Sequence, residues 1–245
     1  NYLTIVSAKD KSGELSVIAV LPDRLKETVK TFLESIPSHL KKTVKSICTD
    51  MYDGFVKSAE EAFGTRLVII DRYHVSKLYR QPLDQIRIKE MKRLKSILCQ
   101  KDYIKLEGMM WIIRKKHECL SSKEKEVLQF MYTHSPLLKE AHKMAIKLTH
   151  IFNAHHNRKV ALTEITRWIQ SVKGSNLTCF EGFIKTLEKY KANILNYFKG
   201  RKNSGFVEGL NNKIKVLKRR CYGMSKPESL FQRLFLDLRG YKAFA

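Results

Sequence analysis

Hydrophobic positions in the first 71 residues follow two rhythms in turn. Residues 2–7 (YLTIVS) and 15–21 (LSVIAVL) are rich in Val, Ile and Leu, and the intervening AKDKSGE holds Gly13 as a turn residue. That pattern predicts a β-hairpin. Residues 23–35 carry Leu25, Val29, Phe32 and Leu33 at helical spacing, and Pro37 stops that helix. Residues 44–49 (VKSICT) read as a short strand ending at Asp50. Residues 53–63 read as a helix with Phe55, Ala59 and Ala62 on one face. Residues 67–70 (LVII) read as a buried strand ending at Asp71. Strand, helix and strand at this spacing imply a right-handed crossover and parallel pairing.

Beyond Asp71 the two-residue rhythm disappears. From residue 74 to 199 the pattern is helical, with breaks expected at Pro82, Ser121–Ser122, Pro136 and Gly174. Two further helices are expected at 205–219 and 227–238. The layout predicts an α/β chain in three parts: residues 1–73 as an α/β unit, 74–202 as an all-helical block, and 203–245 as helices returning to the sheet.

Composition narrows the classes. With 43% hydrophobic residues in 245, the chain can bury a sizeable core, which excludes general disorder. It holds 47 basic and 24 acidic side chains, a formal charge of +23. Such a surplus points to a polyanionic partner: DNA, RNA or an anionic membrane surface. No apolar run approaches the ~20 residues that span a bilayer, and the first residues do not read as a signal peptide. The sequence opens on Asn rather than Met, which suggests a missing start. Five scattered cysteines (Cys48, Cys99, Cys119, Cys179, Cys221) form no C-x-x-C pair. They indicate neither a zinc ribbon nor a disulfide framework, and are expected as reduced, mostly buried thiols of an intracellular protein.

Three clusters carry candidate chemistry. Asp50 and Asp71 stand at the carboxyl ends of expected strands, the edge where ligands gather in α/β sheets; capping of the following turn is the plainer alternative. Asp71 and His74 are three residues apart and can meet across one helical turn, to bind a metal, to orient a neighbouring group or to fix the turn itself. In the helix after Asn203 and Ser204, two suitable N-cap residues, Phe206, Leu210, Ile214 and Leu217 form an apolar stripe. Glu208, Asn212, Lys215 and Arg219 line another face, with a carboxylate first and cations behind it. Metal-held phosphodiester chemistry needs that order, although a solvated Glu–Lys face has the same spacing. Gly209 inside this helix costs about 1 kcal/mol relative to Ala, which close approach of another backbone or a substrate would explain. The run Lys213, Lys215, Lys218, Arg219 and Arg220, followed by Tyr222, suits phosphate contacts with an aromatic ring for stacking. Residues 87–95 form a second basic run.

Taken together, TDMYDGF (residues 49–55), VIIDRYHVSKL (68–78) with PLDQIR (82–87), and NSGFVEGLNNKIKVLKRRCYG (203–223) resemble the ISL-three family of bacterial insertion-sequence transposases. The resemblance covers nearly the whole chain and is most specific in the last motif. It implies a ribonuclease-H-like catalytic core with a large helical insertion before its final catalytic helix. The implied chemistry is DNA strand cleavage and transfer by two Mg²⁺ (or Mn²⁺) ions held by an Asp-Asp-Glu triad. By resemblance, Asp50 matches the second acid and Glu208 the closing acid, both as metal ligands. Asp71 and His74 match a supporting element. Asn212, Lys213, Lys215, Lys218, Arg219 and Arg220 are the expected DNA contacts. The implied partners are insertion-sequence ends and target DNA, with a homo-oligomer and no membrane, in the bacterial cytoplasm at the nucleoid.

The chain departs from the family pattern in one respect. The family's first Asp lies on a strand just before the hairpin, and this first strand has no counterpart here. Asp10 belongs to the hairpin turn and is rejected as a substitute. Upstream zinc-binding and helix-turn-helix segments are likewise absent. The expectation is therefore an N-terminally truncated transposase, inactive as given, whose first hairpin strand exposes an edge. The rival expectations are a non-catalytic basic DNA-binding helical protein and a regulatory remnant that enters an active complex.

Overall fold

The computed structural model describes residues 3–175, 177–224 and 226–240; Tyr2, expected to open the first strand, lies outside them. Strand β1 (Thr4–Lys9) pairs antiparallel with β2 (Leu15–Leu21), from Thr4↔Leu21 to Lys9↔Leu15, with an irregularity between Val6 and Ser7. The turn is organised by Asp10, whose Oδ1 accepts from the Ser12 hydroxyl at 2.6 Å and the Glu14 N–H at 2.8 Å. Those hydrogen bonds, the Ser12 one first, hold its carboxyl below the usual carboxylate value.

Helix α1 (Lys26–Ser35) begins three residues later than its apolar spacing suggests. The Asp23 Oδ1 accepts from the Leu25 N–H at 2.9 Å and makes a turn of residues 23–25 instead. A single turn, α2 (Ser38–Lys41), follows Pro37. Then come β3 (Ile47–Thr49), α3 (Asp53–Phe63) and β4 (Val68–Ile70). Strands β3 and β4 pair in parallel, Ile47↔Val68 to Thr49↔Ile70. Among the described residues the strands form two separate two-stranded ladders, β1–β2 and β3–β4. Helices α1 and α3 pack on each other through Val29, Leu33, Val56 and Ala59, all buried.

The helical stretch opens with α4 (Arg72–Ile97), which runs straight through Pro82 rather than breaking there. An interior proline costs about 3 kcal/mol. Val75, Tyr79, Leu83, Ile86 and Leu94 are all buried along this one helix, and each such burial contributes roughly 1.5–3 kcal/mol, which outweighs it. Short elements the pattern did not reveal follow: α5 (Gln100–Ile104), α6 (Met109–Ile112) and a 3₁₀ turn at His117–Cys119. Helix α7 (Ser122–His134) begins with a capping box between Ser121 and Glu124. Helix α8 (Pro136–Asn153) starts on its proline after Ser135, and α9 (Arg158–Lys173) is capped by Asn157 and ends at Gly174. A 3₁₀ turn at Thr178–Phe180, α10 (Glu181–Lys189), α11 (Lys191–Asn196) and a 3₁₀ turn at Tyr197–Lys199 complete it. The last elements are α12 (Gly205–Arg220) and α13 (Pro227–Phe235), with a π-helical turn at Leu236–Gly240.

The chain is thus mostly helical with a small strand component. It divides into two compact units, residues 1–71 with 201–245, and residues 72–200. In the first unit Leu210, Ile214 and Leu217 of α12 join Leu230 and Leu234 of α13 in a buried cluster, and Ile5, Leu15, Val17 and Val20 of the hairpin pack against it. In the second, Trp168 lies edge-on to Phe180 and Phe183, with ring centroids 5.7 and 5.8 Å away. Its indole N–H donates to the Met144 carbonyl at 2.8 Å, which leaves no polar penalty for burying the ring.

All five cysteines are free thiols, but none is fully buried: Cys99 and Cys119 are exposed and the other three are half-buried. The expectation of buried thiols fails because Cys99 and Cys119 sit in short connections, which run over the surface.

Candidate functional site

The first unit brings one strand edge and one helix start together. Val68, Ile69 and Ile70 are buried on every side. The parallel ladder continues one step past them, because the Asp71 N–H donates to the Thr49 carbonyl at 2.9 Å. Asp50 and Asp71 therefore leave adjacent strands side by side, at the ~4.8 Å spacing of paired strands.

Their carboxylates are used differently. Asp50 is half-buried, and its Oδ1 accepts from the Tyr52 N–H at 3.0 Å, which turns the chain into α3. Asp71 is buried at 4% exposure. Its Oδ2 accepts from the Ser204 N–H at 3.2 Å and also from the Ser204 hydroxyl. Ser204 occupies the N-cap position of α12, but its hydroxyl is spent on Asp71 and not on the helix's own amides. A carboxylate at a helix N-terminus complements the orphan N–H groups and the dipole there. Glu208 follows four residues on, one helical turn or about 6 Å further along α12. It is exposed.

Cys48 and Lys202 belong to the same neighbourhood. Burial, followed by the negative charge of Asp71, pushes the Cys48 thiol up to about 11, while the Lys202 cation pulls the other way. The thiol is therefore neutral and inert at ordinary pH. Lys202 contributes a positive charge felt at Cys48 that the sequence pattern does not single out.

Local packing around the DMYDGF turn explains Gly54. A Cβ there would stand 2.6 Å from Cε1 of Tyr52. The Tyr52 ring is fixed edge-on to Phe55, at 5.0 Å, with the Arg24 guanidinium 4.8 Å over its face.

His74 belongs to the second unit, where its ring meets Tyr73 edge-on at 5.5 Å. Within its own unit Asp71 is bonded to Ser204. In the second unit Arg72 instead opens α4 by donating to the Asn153 side chain, and to the Tyr197 hydroxyl at 3.4 Å.

Along α12 the two expected faces separate. Leu210, Ile214 and Leu217 are buried, Phe206 is half-buried, and Glu208, Asn212, Lys215 and Arg219 are exposed. Lys213 differs from the other expected DNA contacts, because its ammonium is paired with Asp237 at 2.6 Å. A Cβ on Gly209 would meet nothing within 4 Å, so close approach of the chain's own backbone does not account for this glycine. Charge is unevenly spread. Residues 1–71 hold ten basic and ten acidic side chains, residues 72–200 hold 26 and 11, and residues 201–245 hold 11 and three. The surplus thus resides in the helical unit and in the segment carrying Glu208.

A pair of hard divalent ions needs several converging carboxylates. Among the described residues no group of three His, Cys, Asp or Glu side chains is placed to hold a metal. Asp50 and Asp71 each have one oxygen that accepts hydrogen bonds from the protein.

A transposase family profile of the ISL-three type matches residues 1–234. The chain belongs to the ISL-three family of DDE transposases. Its relatives include the transposase for insertion sequence element IS1001 of Bordetella parapertussis, 24% identical over 95% of this chain and 56% of that protein. The transposase for insertion sequence element IS1557 of Mycobacterium tuberculosis is 21% identical over 98% of this chain and 57% of that protein. This ISL-three family chain therefore spans little more than half the length of these relatives. No solved structure matches it. Among the described residues, no helix of this transposase-family chain is long and apolar enough to cross a membrane.

Proposed function

We propose that this chain is the catalytic-core portion of a DDE transposase, acting in DNA transposition by strand cleavage and transfer. In this reading residues 1–73 and 203–245 form a ribonuclease-H-like core and residues 74–202 a helical insertion. Asp50 and Glu208 serve as the second and closing acids. Asp71 and His74 are supporting residues. The observation that carries the reading is the bond from Asp71 to Ser204, which ties the start of the Glu208 helix to the strand edge where Asp50 emerges. Phosphate contacts fall to Asn212, Lys215, Lys218, Arg219 and Arg220, with Lys213 available once its Asp237 partner is displaced.

Divalent metal chemistry is a property of the intact family site. These 245 residues supply two of its acids, and we assign them DNA holding without cleavage on their own. The protein would act in the cytoplasm on insertion-sequence ends and target DNA, as part of a homo-oligomer.

The test is equilibrium binding of the chain to a short fluorescent duplex over a range of KCl concentrations. Binding should weaken steeply with salt, because each neutralised phosphate contributes about 0.9 to the slope of log K against log salt. Salt-independent binding, or none at low salt, would sink the proposal. A second reading, a DNA-binding protein without catalysis, is favoured by the lack of a three-acid cluster among the described residues. It predicts that DNA binding by this chain is the same with and without Mg²⁺ and is unaltered in Glu208→Gln.

A further inference from the structure

The turn after α12 holds an aromatic residue in an unusual state. Tyr222 is 101% exposed, and its backbone is left-handed, with φ +52°. The turn is a Schellman motif: the Gly223 N–H donates to the Lys218 carbonyl at 2.8 Å and the Tyr222 N–H to the Arg219 carbonyl at 3.3 Å. In that motif the position Tyr222 occupies is ordinarily glycine, since a side chain there meets the following carbonyl. The ring therefore recovers nothing from packing while its backbone stays strained. Strain held without local compensation belongs to functional positions.

The surroundings indicate what the ring meets. Tyr222 lies two residues past the end of α12, whose exposed face carries Glu208, Asn212, Lys215 and Arg219. Lys215, Lys218, Arg219 and Arg220 precede it, and among the described residues no carboxylate pairs with any of them. A flat amphipathic ring beside unpaired cations suits a stacked base with phosphates on either side. Helix α12 ends at Arg220, twelve residues or about 18 Å beyond Glu208 at the helical rise, so the ring stands at the far end of the helix from that acid.

We propose that Tyr222 is a base-stacking residue that captures an unpaired DNA base beside the backbone held by Lys218, Arg219 and Arg220. This rests on the DNA-binding reading above. The Lys218–Arg220 cations hold the backbone, and the rigid Schellman turn presents the ring, so little freedom is lost on binding.

The experiment uses the full chain with two fluorescent DNAs, a perfect duplex and a fork whose unpaired arm carries 2-aminopurine. The wild type is expected to prefer the fork by roughly tenfold, the scale of one base–aromatic stack, and to quench the 2-aminopurine. Tyr222→Ala should abolish both the preference and the quench while duplex affinity stays within about twofold. Tyr222→Trp should retain both. Tyr222→Gly should lose both yet melt higher than wild type, because glycine relieves the left-handed strain; a ring needed only for folding would give a lower melting point. Equal binding of fork and duplex by the wild type, or quenching that survives Tyr222→Ala, overturns the inference and leaves DNA binding standing. Failure to bind either DNA overturns both.

Discussion

The carboxylate of Asp71 receives both the backbone N–H and the hydroxyl of Ser204, across 133 positions of sequence. One buried acid at the end of β4 thus fixes where α12 begins, and with it the placement of Glu208. In the reading proposed above, Asp71 acts through the helix rather than on a substrate, as a positioning residue.

Breaking that link has a measurable cost. Ser204→Ala leaves the buried Asp71 carboxylate short of a donor and should destabilise the chain by about 1–3 kcal/mol. In urea unfolding, Asp71→Asn and Ser204→Ala should be non-additive by roughly 0.5–3 kcal/mol. Strictly additive losses would mean the two residues do not act as a pair.

Gly54→Ala should also destabilise, by about 1–3 kcal/mol, because the new methyl forces the Tyr52 ring off Phe55 and Arg24. Combining it with Tyr52→Ala removes the clash, so the double variant should lose less than the sum of the two single changes. Thermal melting decides it; a neutral Gly54→Ala would count against the packing account.

In the helical unit, His142 is buried and its Nδ1 meets the Tyr132 hydroxyl at 2.6 Å. Burial lowers its pKa to about 4, against a weaker opposing hydrogen bond to the Ile113 backbone and with a small further push from His117. The unfolded chain binds this proton near the ordinary histidine value of 6.5 and the folded chain does not. Stability from this group is therefore complete above pH 6.5 and is lost as pH falls through 4, by an amount on the order of 3 kcal/mol. Urea unfolding at pH 7 and pH 4.5 should show that loss in the wild type and a flatter response in His142→Gln. An equally steep acid limb in both would exclude His142 as its source.

The cations of α12 should not be equivalent. Lys215→Ala and Arg219→Ala should each lower the salt slope of DNA binding by about 0.9. Lys213→Ala should lower it less, since Asp237 already neutralises that ammonium. Asp237→Asn should steepen the slope by freeing it. Equal effects at all three cations would show that the ion pair is immaterial to binding.

Much of this was readable from local pattern. The hairpin, α3 and the buried stripe of α12 each depend on neighbours within a few residues, so periodicity locates them. Asp50 and Asp71 were readable as strand-end acids for the same reason. Pro82 misleads because its cost is local, whereas the compensating burial of Val75, Tyr79 and Leu83 comes from the rest of the unit. Ser204 was readable as a cap, but its bond to Asp71 is a tertiary contact without a sequence signature. The same is true of Lys213 with Asp237, and of Lys202, whose influence on Cys48 depends on where the chain returns after residue 200.

In the reading proposed above, this chain holds DNA without completing the site that cuts it. The most direct measurement is a gel of supercoiled plasmid incubated with the chain and Mn²⁺, which reads retention and nicking in the same lanes. Retarded plasmid that remains supercoiled is the expected result. Nicking that disappears in Glu208→Gln would contradict it.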